Sequence, residues 1–379
     1  MLAAVPRLDD LAFALEELER QGLLRVPDTA CLGSQQGVLL ACSNDYLGLA
    51  AGHVSRETPA RAGAGASRLI HGTHPEHLEL EEALAAWVGH PAALLFSSGY
   101  AANVGALSAL CDHNDIILSD RLNHASLVDG CRLSRATVVV IDHGDDEAVA
   151  HHLARSRGYR ARWLAVESYY SMDGDSPKLP RLRALCDEHD ANLYVDEAHA
   201  VGVFGPAGSG LCRALNVVPD VLVGTLGKSV GVAGAFVAGS DLLRRWLWNR
   251  ARSFVFSTGT PPILAELLLR NLHALQQADD TRARLENNAS VFRSALTARG
   301  IPLLPGNHGP IVPILVGDAQ RSVRVAGRLL AERIVVQAIR PPTVPAETAR
   351  LRVTVTAAMT AADIERLASS LASALAAET

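Results

Sequence analysis

No run in this chain comes near the ~20 consecutive apolar residues that cross a bilayer, so no membrane-spanning segment is expected. The amino terminus, MLAAVPRLDD, meets Asp9 and Asp10 before an apolar core of signal-peptide length can build up, and no export signal is expected either. Cysteine is sparse. Cys31, Cys42, Cys111, Cys131, Cys186 and Cys212 stand apart, without a CxxC pair or another zinc-ligand spacing. Free thiols in a reducing cytoplasm, and no metal, are the expectation. A large charge of one sign is also missing: the net charge of −5 leaves no footprint for nucleic acid or an anionic membrane. No internal repeat occurs, and low complexity is confined to an alanine-rich tail. What remains is an ordinary globular balance, 49% hydrophobic and 20% charged over 379 residues. That length is too great for one small core.

From about residue 90 to 240, short apolar runs alternate with amphipathic stretches. The runs AALLF, DIILSD, TVVVID, WLAVES, ANLYVDE, DVLVGT and GAFVAG are strand-length and bounded by Gly, Pro, Asp or Asn. Helical patterns such as YAANVGALSALC and PRLRALCDEHD lie between them. This alternation predicts an α/β fold with a large, mostly parallel sheet covered on both faces. Beyond PPILAELLLRNLHALQQADD the texture changes to a long helical region, then PIVPILV, a helix, IVVQAI, LRVTVTA and a terminal helix. The division expected is an N-terminal arm over 1–42, a large domain over 43–265 and a smaller α+β C-terminal domain over 266–379.

Three turns carry the chemistry. In VGTLGKSVGVAGAF, Lys228 follows a strand in a turn with Gly224, Gly227, Gly231 and Gly234. A phosphate-binding P-loop needs four residues between its glycines. Only Thr225 and Leu226 separate Gly224 from Gly227, so that reading fails. A surface lysine in a glycine turn and a lysine presented to a carbonyl cofactor both remain open. In ANLYVDEAHAVG, a strand delivers Asp196 at its carboxyl end, where open α/β sheets bind ligands, with His199 three residues on. A buried carboxylate there calls for a cation, and the protonated ring nitrogen of pyridoxal 5′-phosphate (PLP) is one. DEAH also marks a helicase family, but such a motor requires an upstream P-loop, and none occurs. In LLFSSGYAAN, Ser97–Tyr100 open a helix after a strand, which suits either a phosphate or a plain serine N-cap. His124, in DRLNHAS, stacks on an aromatic cofactor in one reading and is structural in the other. All these turns fall at carboxyl ends of predicted strands, and the 32 residues from Asp196 to Lys228 match one helix-and-strand unit.

Taken together, SNDYLGLA (43–50), GAGASRLIHGTHPEHLELE (63–81), LLFSSGYAAN (94–103), DRLNHASLVDG (120–130), SMDGDSPKL (171–179), DEAHAVGVFG (196–205), GTLGKSVGVAGA (224–235) and FSTGTPP (256–262) resemble the α-oxoamine synthases. These are PLP enzymes of fold type I. The resemblance implies Lys228 as the Schiff-base lysine, Asp196 as partner of the ring nitrogen, His124 on the ring face, and Ser171 and His199 on the phenolic oxygen. It places Gly99, Tyr100 and Thr225 along the cofactor and its phosphate. Arg352 would bind the amino-acid carboxylate, with Asn44, Thr343 and Arg25 toward substrate. Family members are homodimers, so Ser257 or Thr258 would reach the neighbour's phosphate.

The segment 335–359 most resembles the members that condense L-alanine with a pimeloyl thioester, on CoA or acyl carrier protein, in biotin synthesis. Siblings use glycine with acetyl-CoA or succinyl-CoA, or serine with palmitoyl-CoA. Some relatives are regulatory subunits without activity; the complete set Lys228, Asp196, His199 and His124 speaks against that here. Two positions depart from the family pattern: Met359 stands where His is common and Glu347 where Gly is common.

Overall fold

The computed structural model describes residues 11–24, 37–51 and 61–378. Two compact units emerge. The larger runs from Asp45 to Ser171 and from Asp175 to Arg284. The smaller gathers the described residues up to Asn44, then Met172–Gly174 and the chain from Leu285 onward. The division after Arg284 lies beyond helix Pro262–Gln276, whereas the boundary expected at 265/266 falls inside that helix.

The large unit is built on seven strands: β1 (Ala92–Phe96), β2 (Ile116–Asp120), β3 (Thr137–Ile141), β4 (Arg162–Glu167), β5 (Asn192–Asp196), β6 (Val221–Thr225) and β7 (Ala235–Gly239). They lie in the order β1-β7-β6-β5-β4-β2-β3. All neighbours are parallel except at β7, which runs antiparallel to both β1 and β6. Helix α1 (Pro75–Val88) leads into β1, and the crossover helices include α2 (Gly99–Leu110), α3 (Ala125–Ser134), α4 (Asp146–Arg155) and α5 (Leu179–Glu188). Leu94, Phe96, Ile117, Trp163, Tyr194, Val223 and Val237 bury in one cluster. Each large side chain so buried contributes about 1.5–3 kcal/mol. The run TVVVID behaves differently from its neighbours. It forms the edge strand β3, and Val140 is 58% exposed. An edge strand is covered by a neighbour on one side only.

A buried ion pair ties the segment around GASRL to the sheet. Arg68 donates to Glu81 at 3.0 and 3.3 Å, and Glu81 also accepts from the Leu95 N–H at 2.9 Å. Burial pushes the Glu81 carboxyl up, and the Arg68 guanidinium opposes that push. Removing either partner would strand a charge at 3–4% exposure.

In the small unit, β8 (Ile311–Gly317), β9 (Gln337–Ile339) and β10 (Ala349–Thr354) form an antiparallel sheet in the order β9-β10-β8. Phe292, Leu296, Val325, Leu329, Leu351, Val353, Leu367 and Leu371 pack in its core. Met359 belongs to that core at 5% exposure. Asn288 holds the Met359 carbonyl at 2.9 Å. Glu347 adopts φ +63°, a left-handed conformation that favours glycine. The helix Leu11–Arg20 joins this unit where Gln320 donates to the Arg20 carbonyl at 3.0 Å.

Candidate active site

Two adjacent parallel strands deliver the central groups. β5 ends on Asp196, opposite Val223 of β6. The chain then leaves β6 in a tight turn carrying Lys228. That turn is closed by Leu226 N–H to the Gly234 carbonyl at 2.9 Å and Gly231 N–H to the Lys228 carbonyl at 2.9 Å. Gly231 has φ +78°, and a Cβ there would lie 2.5 Å from the Ala50 nitrogen. Only glycine allows so close an approach of the SNDYLGLA segment. Asp45 holds that segment in turn, accepting from the Leu49 and Ala50 N–H groups at 2.9 and 3.0 Å.

This packing brings Tyr46 into the site. Its hydroxyl lies 2.8 Å from His199 Nδ1, and His199 Nε2 lies 2.9 Å from Lys228 Nζ. Tyr46 is fully buried and His199 is 7% exposed. The three form a continuous polar line ending on the lysine amine. A lysine so placed is not a surface residue in a glycine turn.

Asp196 is 5% exposed. Its Oδ1 accepts from the Ala198 N–H at 2.8 Å and its Oδ2 from Asn103 Nδ2 at 2.7 Å. Both donors are neutral, and among the described residues no lysine or arginine pairs with this carboxylate. A buried carboxylate with lone pairs to spare and no cation fits the protonated ring nitrogen of PLP. Beside it, Glu167 at the end of β4 is fully buried and in register with Asp196. Burial, then the Asp196 charge, push its carboxyl up to about 8. Glu167 accepts from the backbone N–H of His124 at 2.6 Å. His124 caps α3: its Nδ1 accepts from the Ser126 N–H at 3.2 Å, which leaves the proton on Nε2. Burial lowers its pKa, the Asp196 charge opposing.

At the start of α2, Ser98 caps the helix through Ala101 N–H at 3.1 Å. The cap uses one of the first-turn donors; the N–H groups of Gly99 and Tyr100 belong to the same turn and suit an anion. Gly99 and Thr225 are neighbours, since a Cβ on the glycine would lie 3.8 Å from the threonine side chain. Tyr100 is 49% exposed and donates to Asp129 at 2.6 Å. Ser171 is buried after β4. Ser257 and Thr258 lie on an exposed turn with local hydrogen bonds, Thr258 at φ +66°.

The large unit therefore gathers Lys228, His199, Asp196 and His124, with Gly99 beside Thr225. In the small unit, Arg352 is 3% exposed and donates to Asn44 at 2.9 Å and Thr354 at 3.4 Å. Thr343 follows in an exposed turn, its N–H bonded to the Arg340 carbonyl at 3.1 Å. Arg25 lies outside the described residues. Sequence reasoning missed Tyr46, Asn103, Ser126 and Glu167. The one available signal was a polar residue in an apolar setting: Asn103 on the apolar helix GYAANVGALSAL, and Glu167 closing the strand RWLAVE.

A family model for aminotransferase class I and II matches residues 36–371. An 8-amino-7-oxononanoate synthase of Marinobacter nauticus is 43% identical, covering 96% of this chain and 95% of that protein. One of an Azoarcus species is 45% identical over 96% and 97%. Among solved structures, a serine palmitoyltransferase from S. paucimobilis with a bound PLP–myriocin aldimine superimposes with a TM-score of 0.88 at 28% identity, over 98% of each chain. An 8-amino-7-oxononanoate synthase from Francisella tularensis superimposes with 0.78 at 26% identity, over 91% of this chain and 99% of that one.

Proposed function

This chain belongs to the aminotransferase class I and II family, and we propose that it is a PLP-dependent acyltransferase of the α-oxoamine synthase kind. Its reaction joins L-alanine to a pimeloyl thioester and releases CO2 and the thiol, giving 8-amino-7-oxononanoate. The relatives at 43–45% identity carry that name over nearly their whole length. The observation that carries the chemistry is the polar line Tyr46–His199–Lys228 set beside the buried carboxylate of Asp196.

When bound, PLP supplies an electron-withdrawing ring that stabilises negative charge at the amino acid's Cα. Lys228 would hold the cofactor through its amine, and the same amine is placed to take and return the proton at the amino acid's Cα. Asp196 keeps the proton on the ring nitrogen. His124 would cover one face of the cofactor ring. His199 and Ser171 orient the phenolic oxygen. The first turn of α2, with Thr225, receives the phosphate. Arg352 binds the alanine carboxylate by a charge-assisted fork that lysine would not reproduce. Asn44, Thr343 and Arg25 complete the substrate contacts.

Assembly as a homodimer and residence in the cytoplasm belong to the same reading. The exposed side chain of Tyr100 and the left-handed Thr258 on an exposed turn support the first. Buried thiols at Cys111, Cys131, Cys186 and Cys212 support the second. Among the described residues no helix is long and apolar enough to cross a membrane.

The test is direct. Purified protein with PLP is given alanine and pimeloyl-CoA, with glycine and with shorter and longer acyl-CoAs as comparison arms, and products are read by mass. Formation of 8-amino-7-oxononanoate from the first pair is the expected result. A preference for glycine with a short acyl-CoA would reassign the substrate, and no product from any pair would refute the reading.

A further inference from the structure

Asn103 is 1% exposed in the interior of α2, where an apolar residue would cost nothing to bury. Its amide is fully engaged in one orientation. Nδ2 donates to Asp196 Oδ2 at 2.7 Å and to Ser126 Oγ at 2.9 Å, and Oδ1 accepts from the Tyr194 hydroxyl at 2.9 Å. An ionised carboxylate only accepts, so the nitrogen must face Asp196. Tyr194 is fully buried, and burial, with the Asp196 charge, pushes its hydroxyl well above its ordinary range. It therefore stays protonated and able to donate to Oδ1 in the orientation that Asp196 sets. Ser126 Oγ in turn lies 2.8 Å from His124 Nδ1. One amide thus touches, directly or through a single hydroxyl, both the acid and the ring-facing histidine of the site.

We infer that Asn103 is a positioning residue for the proposed reaction: it holds Asp196 with an uncharged donor, leaving the carboxylate's negative charge for the cofactor's ring nitrogen, and joins Asp196 and His124 into one unit. The physical reason is selectivity between donors. A lysine or arginine at this position would neutralise Asp196 and compete with a cationic ligand. An apolar residue would leave Oδ2 in a dry pocket beside Glu167, where a carboxyl more readily takes up a proton. An amide avoids both outcomes: its nitrogen serves the carboxylate, which only accepts, and its oxygen is satisfied by the Tyr194 hydroxyl.

The inference rests on the PLP reading, and the experiment separates the two. In the wild type, cofactor binding is followed by visible absorption, and exchange of the alanine Cα proton with deuterated water is followed by NMR; neither requires the acyl substrate. Absence of both in the wild type refutes the functional reading itself. With the wild type active, Asn103→Ala is expected to weaken cofactor binding and slow exchange by about tenfold to a hundredfold, the worth of a hydrogen bond to a charged group. Its dissociation constant for alanine should stay within about twofold. Tyr194→Phe removes one hydroxyl that touches neither Asp196 nor His124, and keeps the fold should Asn103→Ala not. It is expected to shift both readouts in the same direction by a smaller factor. If Asn103 merely fills space, the folded fraction of the variants falls while cofactor affinity and exchange per folded molecule match the wild type. That result, or a silent Tyr194→Phe, overturns the inference.

Discussion

Replacing His143 with Gln should change the pH dependence of stability, and the structure sets its size and sign. His143 follows the edge strand β3. Its Nδ1 lies 3.0 Å from Asp120 and its Nε2 2.9 Å from Asp175. Its ring meets Tyr170 edge-on at 4.5 Å. The side chain is 23% exposed, and those of Asp120 and Asp175 are 7% and 17% exposed. Burial by itself would lower the imidazole pKa, but hydrogen bonds to the two carboxylates, with their charges, raise it to about 10. In the unfolded chain a histidine titrates near ~6.5. Below that value both states carry the proton and the stabilisation is fully present. As pH rises through the folded value of about 10, the native state loses its proton too and the advantage is gone. In between, each pH unit removes at most about 1.4 kcal/mol. Partial exposure screens the site, so from about pH 7 to about pH 9 the loss should be about 1–2.5 kcal/mol. Urea unfolding of wild type and His143→Gln at both pH values measures it. The wild type should be the more stable at the lower pH, with the gap narrowing by that amount at the higher. A gap that stays constant would show that His143 carries no extra proton in the folded state. A gap that widens would reverse the sign and refute the argument outright.

Three other outcomes are expected. Lys228→Ala should abolish borohydride fixation of PLP to the chain and all turnover; fixation at another lysine would move the assignment. Arg352→Ala should raise the KM for alanine by about tenfold to a hundredfold, the worth of a charge-assisted bond, and an unchanged KM would remove Arg352 from carboxylate recognition. Glu347→Gly should stabilise the small unit by about 1 kcal/mol, because Glu347 occupies a left-handed conformation that glycine adopts freely. An unmoved or lowered thermal midpoint would mean that the Glu347 side chain offsets its backbone strain.

Much of this could be read before any fold was known. Apolar runs of five to seven residues marked every strand of the large sheet, because a strand buried on both faces is apolar over most of its length. The run TVVVID showed where that inference stops: composition cannot distinguish a central strand from an edge, since the difference lies in what the neighbouring strands cover. Lys228, Asp196, His199 and His124 stood out because titratable groups at the carboxyl ends of predicted strands converge in open α/β sheets. Tyr46 and Asn103 did not stand out. Each has a polar group whose partner is distant in sequence: 153 positions separate Tyr46 from His199 and 93 separate Asn103 from Asp196.

The sequence by itself determined the kind of protein this is: its class of fold, its cofactor, and the residues with chemistry to offer. The class of fold follows from local rules, such as strand periodicity and glycine at tight turns; the cofactor and the residue roles follow from the motifs shared with the α-oxoamine synthases. Only the tertiary structure decided how those residues are held. Which amide orients the buried acid, which hydroxyl backs the histidine beside the lysine, and which imidazole stays charged between two carboxylates depend on chain segments meeting across the fold. Burial then makes each of those hydrogen bonds costly to lose.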